Sequence, residues 1–164
     1  MIDDELRTVA ERVLDGCRAK KLKLATAESC TGGLIAAALT EIPGSSDVLE
    51  RGWVTYSDAA KQQDLGVPAS ALSRFGAVSA EVARAMAEGA LKKSSADLAV
   101  AVTGIAGPSG GSAEKPVGLV HIAVSGKGRT LAKELRLGAI GRGEVRRQSV
   151  LAALALLSQL VRDS

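Results

Sequence analysis

Apolar side chains near the start of the chain recur every three or four residues, with charged residues between them. They are Leu6, Val9, Ala10, Val13, Leu14 and Cys17. This spacing predicts an amphipathic helix that ends near Gly16. An apolar run over 22–27 then predicts a strand, and the Ala- and Leu-rich segment after it predicts a helix from about Thr31 to Thr40.

The middle of the chain continues to alternate between strand-like and helix-like segments. Residues 48–56 end in the strong β-formers Val-Thr-Tyr and predict a second strand. Short helices are predicted over 57–64 and 68–75. A longer helix is predicted to begin at the N-cap Ser79 and to reach about Lys93.

Strand patterns and one long helix close the chain. A continuous apolar run over 97–103 predicts a buried strand. Strands over 117–124 and 130–137 are joined by Gly-Lys-Gly, which is a hairpin signal. A helix over about 143–161 follows.

The order of these elements predicts an α/β fold, a single layered domain over residues 1–164 with a mixed β-sheet flanked by helices. The composition agrees, because 46% apolar and 24% charged residues are typical of a globular chain. Only 2% of the residues are aromatic, so the core has to be packed from small aliphatic side chains. The formal charge of +3 is scattered, without the basic stripe typical of nucleic-acid binders. The sequence therefore favours a small anionic ligand over DNA or RNA.

The two cysteines, Cys17 and Cys30, are too few for a disulfide framework and suit a reducing compartment. The acidic N-terminus does not resemble a secretory signal, and no apolar run approaches membrane-spanning length. The sequence therefore predicts a soluble cytoplasmic protein without a membrane partner.

The segment 27–33, Ala-Glu-Ser-Cys-Thr-Gly-Gly, lies between the first predicted strand and the next helix. It places two nucleophiles, Ser29 and Cys30, beside the free N–H groups expected at a helix start. A hydroxyl or thiol next to N–H donors is suited to attack on a carbonyl and to stabilisation of the oxyanion. On this segment alone, a plain helix cap by Ser or Thr is the alternative.

Two residue types can serve as the base for such a nucleophile. His121, the single histidine, lies within an apolar strand, where a structural role is more typical. Lys61 stands one turn into the helix after Tyr56 and follows a strand end, where α/β ligand sites gather. A lysine of lowered pKa can accept a serine proton, and a solvated helix lysine is the alternative. One His and two separated Cys lack zinc-ligand spacing, so no metal is expected.

A glycine-rich loop over 104–116 follows the strand that ends at Thr103. Long loops of this kind are usually functional. Glycines such as Gly104 and Gly107 let backbone N–H groups approach a phosphate or carbonyl closely. The loop lacks the Gly-Lys-Ser/Thr ending of a P-loop, and no helix clearly follows it as a Rossmann motif requires.

Four blocks in order resemble the signature of the CinA C-terminal domain family. They are 27–33, 54–61 (Val-Thr-Tyr-Ser-Asp-Ala-Ala-Lys), 101–108 (Ala-Val-Thr-Gly-Ile-Ala-Gly-Pro) and 115–120 (Lys-Pro-Val-Gly-Leu-Val). Characterised members of that family are nicotinamide-nucleotide amidohydrolases, and the domain often follows a pyrophosphatase-like domain. Because the chain starts at Met1 with no room for that domain, a stand-alone form is expected.

The resemblance implies hydrolysis of nicotinamide mononucleotide to nicotinic acid mononucleotide and ammonia, without a cofactor. Ser29 falls on the family's nucleophile and Lys61 on its partner lysine, in a Ser-Lys acyl-enzyme mechanism. Tyr56 and Thr103 match further polar positions of the family's site, and Ser46 matches another.

The resemblance also extends to substrate binding. Arg142 fits the family's arginine at the start of the last helix, although the Asp that often precedes it is absent. Arg142 or a glycine turn is expected to hold the phosphate, and Tyr56 to face the pyridinium. The residues expected to line the oxyanion or the substrate are Cys30, Thr31, Gly32, Gly33, Gly104 and Gly107.

A function of another class is also compatible with these residues. A non-catalytic nucleotide-binding or adaptor protein of competence or the DNA-damage response would explain the glycine loops without needing Ser29 and Lys61 together. The sequence is also compatible with a homodimer.

Overall fold

A computed structural model of the chain describes residues 2–164. Its helices are α1 (Asp4–Lys20), α2 (Leu34–Thr40), α3 (Asp58–Leu65), α4 (Ala69–Phe75), α5 (Ala80–Lys92) and α6 (Arg142–Arg162), with a short 3₁₀ helix at Ser45–Asp47. Its strands are β1 (Leu24–Glu28), β2 (Leu49–Val54), β3 (Leu98–Gly104), β4 (Leu119–Gly126) and β5 (Arg129–Arg136). No helix in this part of the chain is long and apolar enough to cross a membrane.

The five strands form one open sheet in the order β2-β1-β3-β4-β5. β1 pairs in parallel with β2 and β3, whereas β4 pairs antiparallel with β3 and β5. The turn between β4 and β5 places Lys127 at φ 53° and Gly128 at φ 76°, the left-handed conformations that a tight hairpin needs. The predicted α/β fold with a mixed sheet flanked by helices is confirmed.

Helices cover both faces of the sheet, because side chains alternate between the faces along each strand. α1, α2 and α6 pack on one face against the Leu, Val and Ile residues of the strands. α5 packs on the other face, where the central strands present mainly alanines: Ala25, Ala27, Ala99, Ala101 and Ala123. These small side chains let α5 lie close to the sheet, as expected from a chain with few aromatic residues.

The sequence predicted that the first helix ends near Gly16, but the helix continues to Lys20. A Cβ atom at Gly16 would lie 3.0 Å from Val161 Cγ1 of α6. The glycine therefore allows α1 and α6 to pack closely and does not stop the helix. The helix ends where Lys21 adopts φ 55° and its N–H donates to the carbonyls of Arg18 and Cys17.

The carboxyl ends of β1, β2 and β3 meet at one edge of the sheet, which we call the carboxyl edge. The register pairs Glu28 of β1 with Val54 of β2 and with Val102 of β3. Ser29, Thr55 and Thr103 therefore follow at about the same level on three adjacent strands. In open α/β sheets, ligand sites form at this edge.

Candidate functional site

The turn from β1 into α2 holds Ser29 against the end of β3. The N–H of Ser29 donates to the carbonyl of Val102 at 3.0 Å, and the N–H of Gly32 donates to the carbonyl of Ser29 at 2.9 Å. Gly32 and Gly33 adopt φ values of 58° and 99°, which glycine tolerates and other residues rarely do. The paired glycines thus reverse the chain immediately after the serine.

The start of α2 offers fewer free N–H groups than the sequence predicted. Gly33 occupies the N-cap position and has no side chain to cap the helix. The carboxylate of Glu28 caps it instead, because Oε1 accepts from the N–H of Ile35 at 2.8 Å and Oε2 from that of Ala36 at 3.1 Å. Glu28 is completely buried. The expectation of free donors is therefore wrong for the first turn of α2.

The remaining donors of this region lie in the turn itself. The N–H of Leu34 donates to the carbonyl of Thr31. Within residues 2–164, the N–H groups of Cys30, Thr31 and Gly33 make no hydrogen bond to another residue. These three groups are the unbonded N–H donors of the turn.

Lys61 reaches Ser29 from α3. This helix begins after Ser57, whose hydroxyl accepts from the N–H of Ala60 at 3.0 Å. Lys61 lies one turn further on and is only 1% exposed. Its Nζ lies 3.1 Å from Ser29 Oγ, 2.8 Å from the carbonyl oxygen of Thr55 and 3.4 Å from that of Tyr56.

These surroundings favour the neutral amine as a proton acceptor. Burial lowers the pKa of Lys61, and the Asp58 carboxylate opposes that shift. Carbonyl oxygens only accept hydrogen bonds, so they take the two hydrogens of the neutral amine. The amine lone pair is then left for the hydroxyl hydrogen of Ser29.

The neighbouring thiol is less suited to nucleophilic attack. Cys30 is buried, and this burial, with a further contribution from the Glu28 carboxylate, raises its pKa to about 11. Little thiolate is present at neutral pH, and the thiolate is the reactive form of cysteine. The sequence left both nucleophiles open, whereas the structure places only Ser29 in contact with Lys61.

Arg142 links two other candidate residues, Tyr56 and Gly107, in a group that we call the mouth of the site. It is the first residue of α6, and its Nη1 donates to the carbonyl of Gly107 at 2.9 Å. Its Nη2 donates to Tyr56 Oη, also at 2.9 Å. Tyr56 is 59% exposed. The structure thus brings Tyr56, Gly107 and Arg142 together.

A second arginine, absent from the sequence-based site, lies one helical turn further along α6. Arg146 Nη2 donates to the carbonyl of Thr31 at 3.1 Å. Within residues 2–164, neither Arg142 nor Arg146 forms a salt bridge with a carboxylate. The spacing of four residues from Arg142 would place both on one helix face, and that signal could have identified Arg146.

Thr103 and Gly104 support the site from β3. The hydroxyl of Thr103 donates to the carbonyl of Ala77 at 2.9 Å, and the side chain is buried. A Cβ atom on Gly104 would lie 2.8 Å from Val120 Cγ2. Thr103 therefore ties β3 to the segment before α5, and its hydroxyl proton is already engaged. Gly104 lets β3 pack closely on β4.

Ser46 is not brought to this edge. It is exposed and lies in the 3₁₀ helix before β2, at the amino end of the parallel strands. There the N–H of Leu24, the first residue of β1, donates to the carbonyl of Val48. Within this chain, Ser46 and Ser29 lie at opposite edges of the sheet.

The fold and these contacts define a class of protein, an open α/β domain with a serine and a buried lysine in contact at the carboxyl edge of the sheet. The model of the CinA C-terminal domain matches residues 6–161. The chain belongs to this family, and the resemblance seen in its sequence is confirmed.

Relatives with the same description are similar over most of the chain. A CinA-like protein of Akkermansia muciniphila is 56% identical over 134 residues, which are 82% of this chain and 32% of that protein. A CinA-like protein of Parasynechococcus marenigrum is 51% identical over 153 residues, 93% of this chain and 36% of that protein. The chain thus spans about a third of the length of these curated relatives.

Solved structures show the same fold. The competence/damage inducible protein CihA of Agrobacterium tumefaciens has a TM-score of 0.96 and 53% identity, and the match covers 98% of both chains. A CinA superfamily protein of Klebsiella pneumoniae has a TM-score of 0.92 and 34% identity, with 97% of this chain and 99% of that chain covered.

Proposed function

We propose that this domain hydrolyses the carboxamide of nicotinamide mononucleotide, giving nicotinic acid mononucleotide and ammonia through an acyl-enzyme on Ser29. The observation that carries the proposal is the 3.1 Å contact between Ser29 Oγ and Lys61 Nζ. A lysine that is almost fully buried, with no carboxylate of residues 2–164 in salt-bridge contact with its amine, is suited to act as a general base. The names of the relatives add only a competence- or damage-inducible context.

In the first half of the reaction, neutral Lys61 accepts the hydroxyl proton as Ser29 Oγ attacks the carboxamide carbon. The oxyanion that forms accepts hydrogen bonds from the unused N–H groups of Cys30, Thr31 and Gly33. Protonated Lys61 then gives its proton to the departing amide nitrogen, which leaves as ammonia. The carboxyl carbon of the nicotinic acid moiety is left esterified to Ser29.

In the second half, Lys61 removes a proton from water as the water oxygen attacks the acyl carbon. The ester bond to Ser29 breaks, and the serine oxygen recovers the proton from Lys61. General base catalysis supplies about 10²–10⁴-fold of rate, and one oxyanion donor about 10²–10³-fold. In this mechanism Lys61 serves every proton transfer, and the turn after Ser29 supplies the oxyanion donors.

The substrate carries a cationic pyridinium and an anionic phosphate, and the mouth of the site has groups for both. The exposed ring of Tyr56 suits the pyridinium, an interaction of about 0.5–2 kcal/mol. Arg142 and Arg146 suit the phosphate because, within residues 2–164, they donate to uncharged oxygens. A phosphate would form stronger, charge-assisted hydrogen bonds with them, and the start of α6 adds a favourable helix dipole.

The test is release of ammonia from nicotinamide mononucleotide by the purified protein. We expect turnover by wild type and none by Ser29→Ala, with retained binding of the mononucleotide by the variant. Binding to wild type without any turnover would contradict the proposal and support the non-catalytic nucleotide-binding function.

A further inference from the structure

We propose that Glu28 is a positioning residue, whose buried carboxylate holds the Ser29 turn in its reactive conformation by bonding two backbone N–H groups of α2. The proposal rests on the function proposed above. Glu28 lies directly before Ser29, but its carboxylate binds the N–H groups of Ile35 and Ala36, whereas Ser29 Oγ contacts Lys61. It would therefore act on the reaction only through the backbone.

A carboxylate is required here because the usual helix cap is missing. An N-cap side chain normally accepts from the N–H groups of the first turn. In α2 that position is Gly33, which needs φ 99° for the chain reversal and has no side chain. Glu28 reaches the same donors from β1, so the strand and the helix that flank Ser29 are tied together by one residue.

Burial makes this tie strong and selective. Glu28 is 0% exposed, and no Lys or Arg in residues 2–164 forms a salt bridge with it. Its hydrogen-bond partners are the two N–H groups, at 2.8 Å and 3.1 Å. A buried carboxylate left without these donors would be strongly destabilised, so the carboxylate and the turn fix each other's geometry.

The tie also determines which N–H groups stay free. With Ile35 and Ala36 bound to Glu28, the unused donors are those of Cys30, Thr31 and Gly33. Loss of the Glu28 carboxylate would release the first turn of α2 and let the turn relax. A shift of about 1 Å in such a group can lower a rate about 10²-fold without contact with the substrate.

The test compares Glu28→Gln with a matched variant, Asp3→Asn. Asp3 also caps a helix with its carboxylate, accepting from the N–H of Leu6 at the start of α1, and it lies outside the proposed site. Glu28→Gln keeps the side-chain shape but presents an NH₂ group to one of the two backbone donors. Thermal unfolding measures the stability that each variant loses, which for Asp3→Asn includes the contact of Asp3 with Arg147 Nε at 2.7 Å.

Three measurements follow. Amide hydrogen exchange reports whether Ile35 and Ala36 are released. Phosphonylation of Ser29 by a fluorophosphonate, in which Oγ binds phosphorus and fluoride leaves, reports nucleophile reactivity without the nucleotide. Steady-state kinetics on nicotinamide mononucleotide separate kcat from KM.

We expect Glu28→Gln to lower both the phosphonylation rate and kcat by about 10–100-fold, with little change in KM and faster exchange at Ile35 and Ala36. Asp3→Asn should lower stability but leave both rates near wild type. Wild-type rates in folded Glu28→Gln would refute the positioning role of Glu28 but leave the proposed function standing. Rate losses in Glu28→Gln that are fully accounted for by its unfolded fraction would refute it too. A wild type inert towards both reagents would instead refute the Ser29 nucleophile and both proposals with it.

Discussion

Two basic side chains, Lys61 and His121, are buried near the carboxyl edge of the sheet, and burial lowers the pKa of each. Their partners differ. Lys61 Nζ contacts the hydroxyl of Ser29 and two carbonyl oxygens. His121 Nε2 faces the carboxylate of Glu134 at 3.7 Å. A lowered pKa is thus common to both side chains, whereas among residues 2–164 the hydroxyl contact belongs to Lys61.

The hydroxyl groups near Lys61 and near His121 differ in whether they have hydrogen-bond partners. Thr31 and Thr55, which flank Ser29 along the chain and across the sheet, have buried hydroxyl oxygens with no hydrogen-bond partner in residues 2–164. Near His121, the hydroxyls of Thr103 on β3 and of Ser125 on β4 itself are both engaged. Unsatisfied buried polar groups need an explanation, and a ligand at the Ser29 site would supply one.

The most damaging change should be Ser29→Ala, which removes the proposed nucleophile. We expect kcat to fall by about 10³-fold or more, as for other activated serines. Cys30→Ala should retain most of the activity, because burial raises the pKa of that thiol to about 11. Ammonia release by the two variants decides between the neighbouring nucleophiles, and activity in Ser29→Ala would remove the serine from the mechanism.

Lys61→Arg should be nearly as inactive as Lys61→Ala, with losses of about 10²–10⁴-fold. A guanidinium keeps its proton at any usable pH and cannot serve as the base. In wild type, activity should rise with pH as Lys61 loses its proton and level off above its pKa. The pH profile of kcat measures this limb, and an active Lys61→Arg protein would contradict the assignment.

Loss of the substrate phosphate should have an intermediate effect. Each charge-assisted contact contributes about 1.5–3 kcal/mol, so nicotinamide riboside should react about 10–100-fold more slowly than the mononucleotide in kcat/KM. Arg142→Ala should narrow that ratio, and Arg146→Ala should do so as well if both arginines contact the phosphate. Equal reactivity of riboside and mononucleotide in wild type would show that no phosphate site exists.

Sequence reasoning found the elements because hydrophobic periodicity is local. The hairpin between β4 and β5, the N-cap Ser79 and the long last helix all follow from short segments. Gly16 shows where local patterns fail. A glycine is needed there because α1 packs on Val161, a residue that is distant in the sequence. Local signals treat such a glycine as a helix end, and only the packing of α1 on α6 shows otherwise.

Some residues of the candidate site could likewise be identified from the sequence, and others could not. The family motifs pointed to Ser29 and Lys61, and the structure brings these two side chains into contact. Glu28 was overlooked because a motif carboxylate next to a nucleophile says nothing about which backbone groups it binds. Ser46 matched a family position but lies at the opposite edge, because which edge a loop joins depends on strand direction in the assembled sheet.

Lys61 should also affect how the free energy of unfolding depends on pH. Because its pKa is lowered in the folded state, the unfolded chain binds more protons between that pKa and about 10.4. Stability contributed by this position therefore rises with pH in that window, by up to about 1.4 kcal/mol per pH unit. Urea unfolding at several pH values should show wild type gaining on Lys61→Met as the pH rises. Parallel pH dependences of the two proteins would show an unshifted lysine.

The smallest effect should come from His121→Gln. His121 lies opposite Thr103 on β3 and Glu134 on β5, and burial lowers its pKa, so the ring is neutral at neutral pH and its contact with Glu134 is not an ion pair. Glutamine retains hydrogen-bonding groups, so the fold should persist and kcat/KM should stay within about threefold of wild type. A general base would cost about 10²–10⁴-fold when replaced. A loss of that size in folded His121→Gln, together with an altered acid limb of the pH profile, would transfer the role of base from Lys61 to His121.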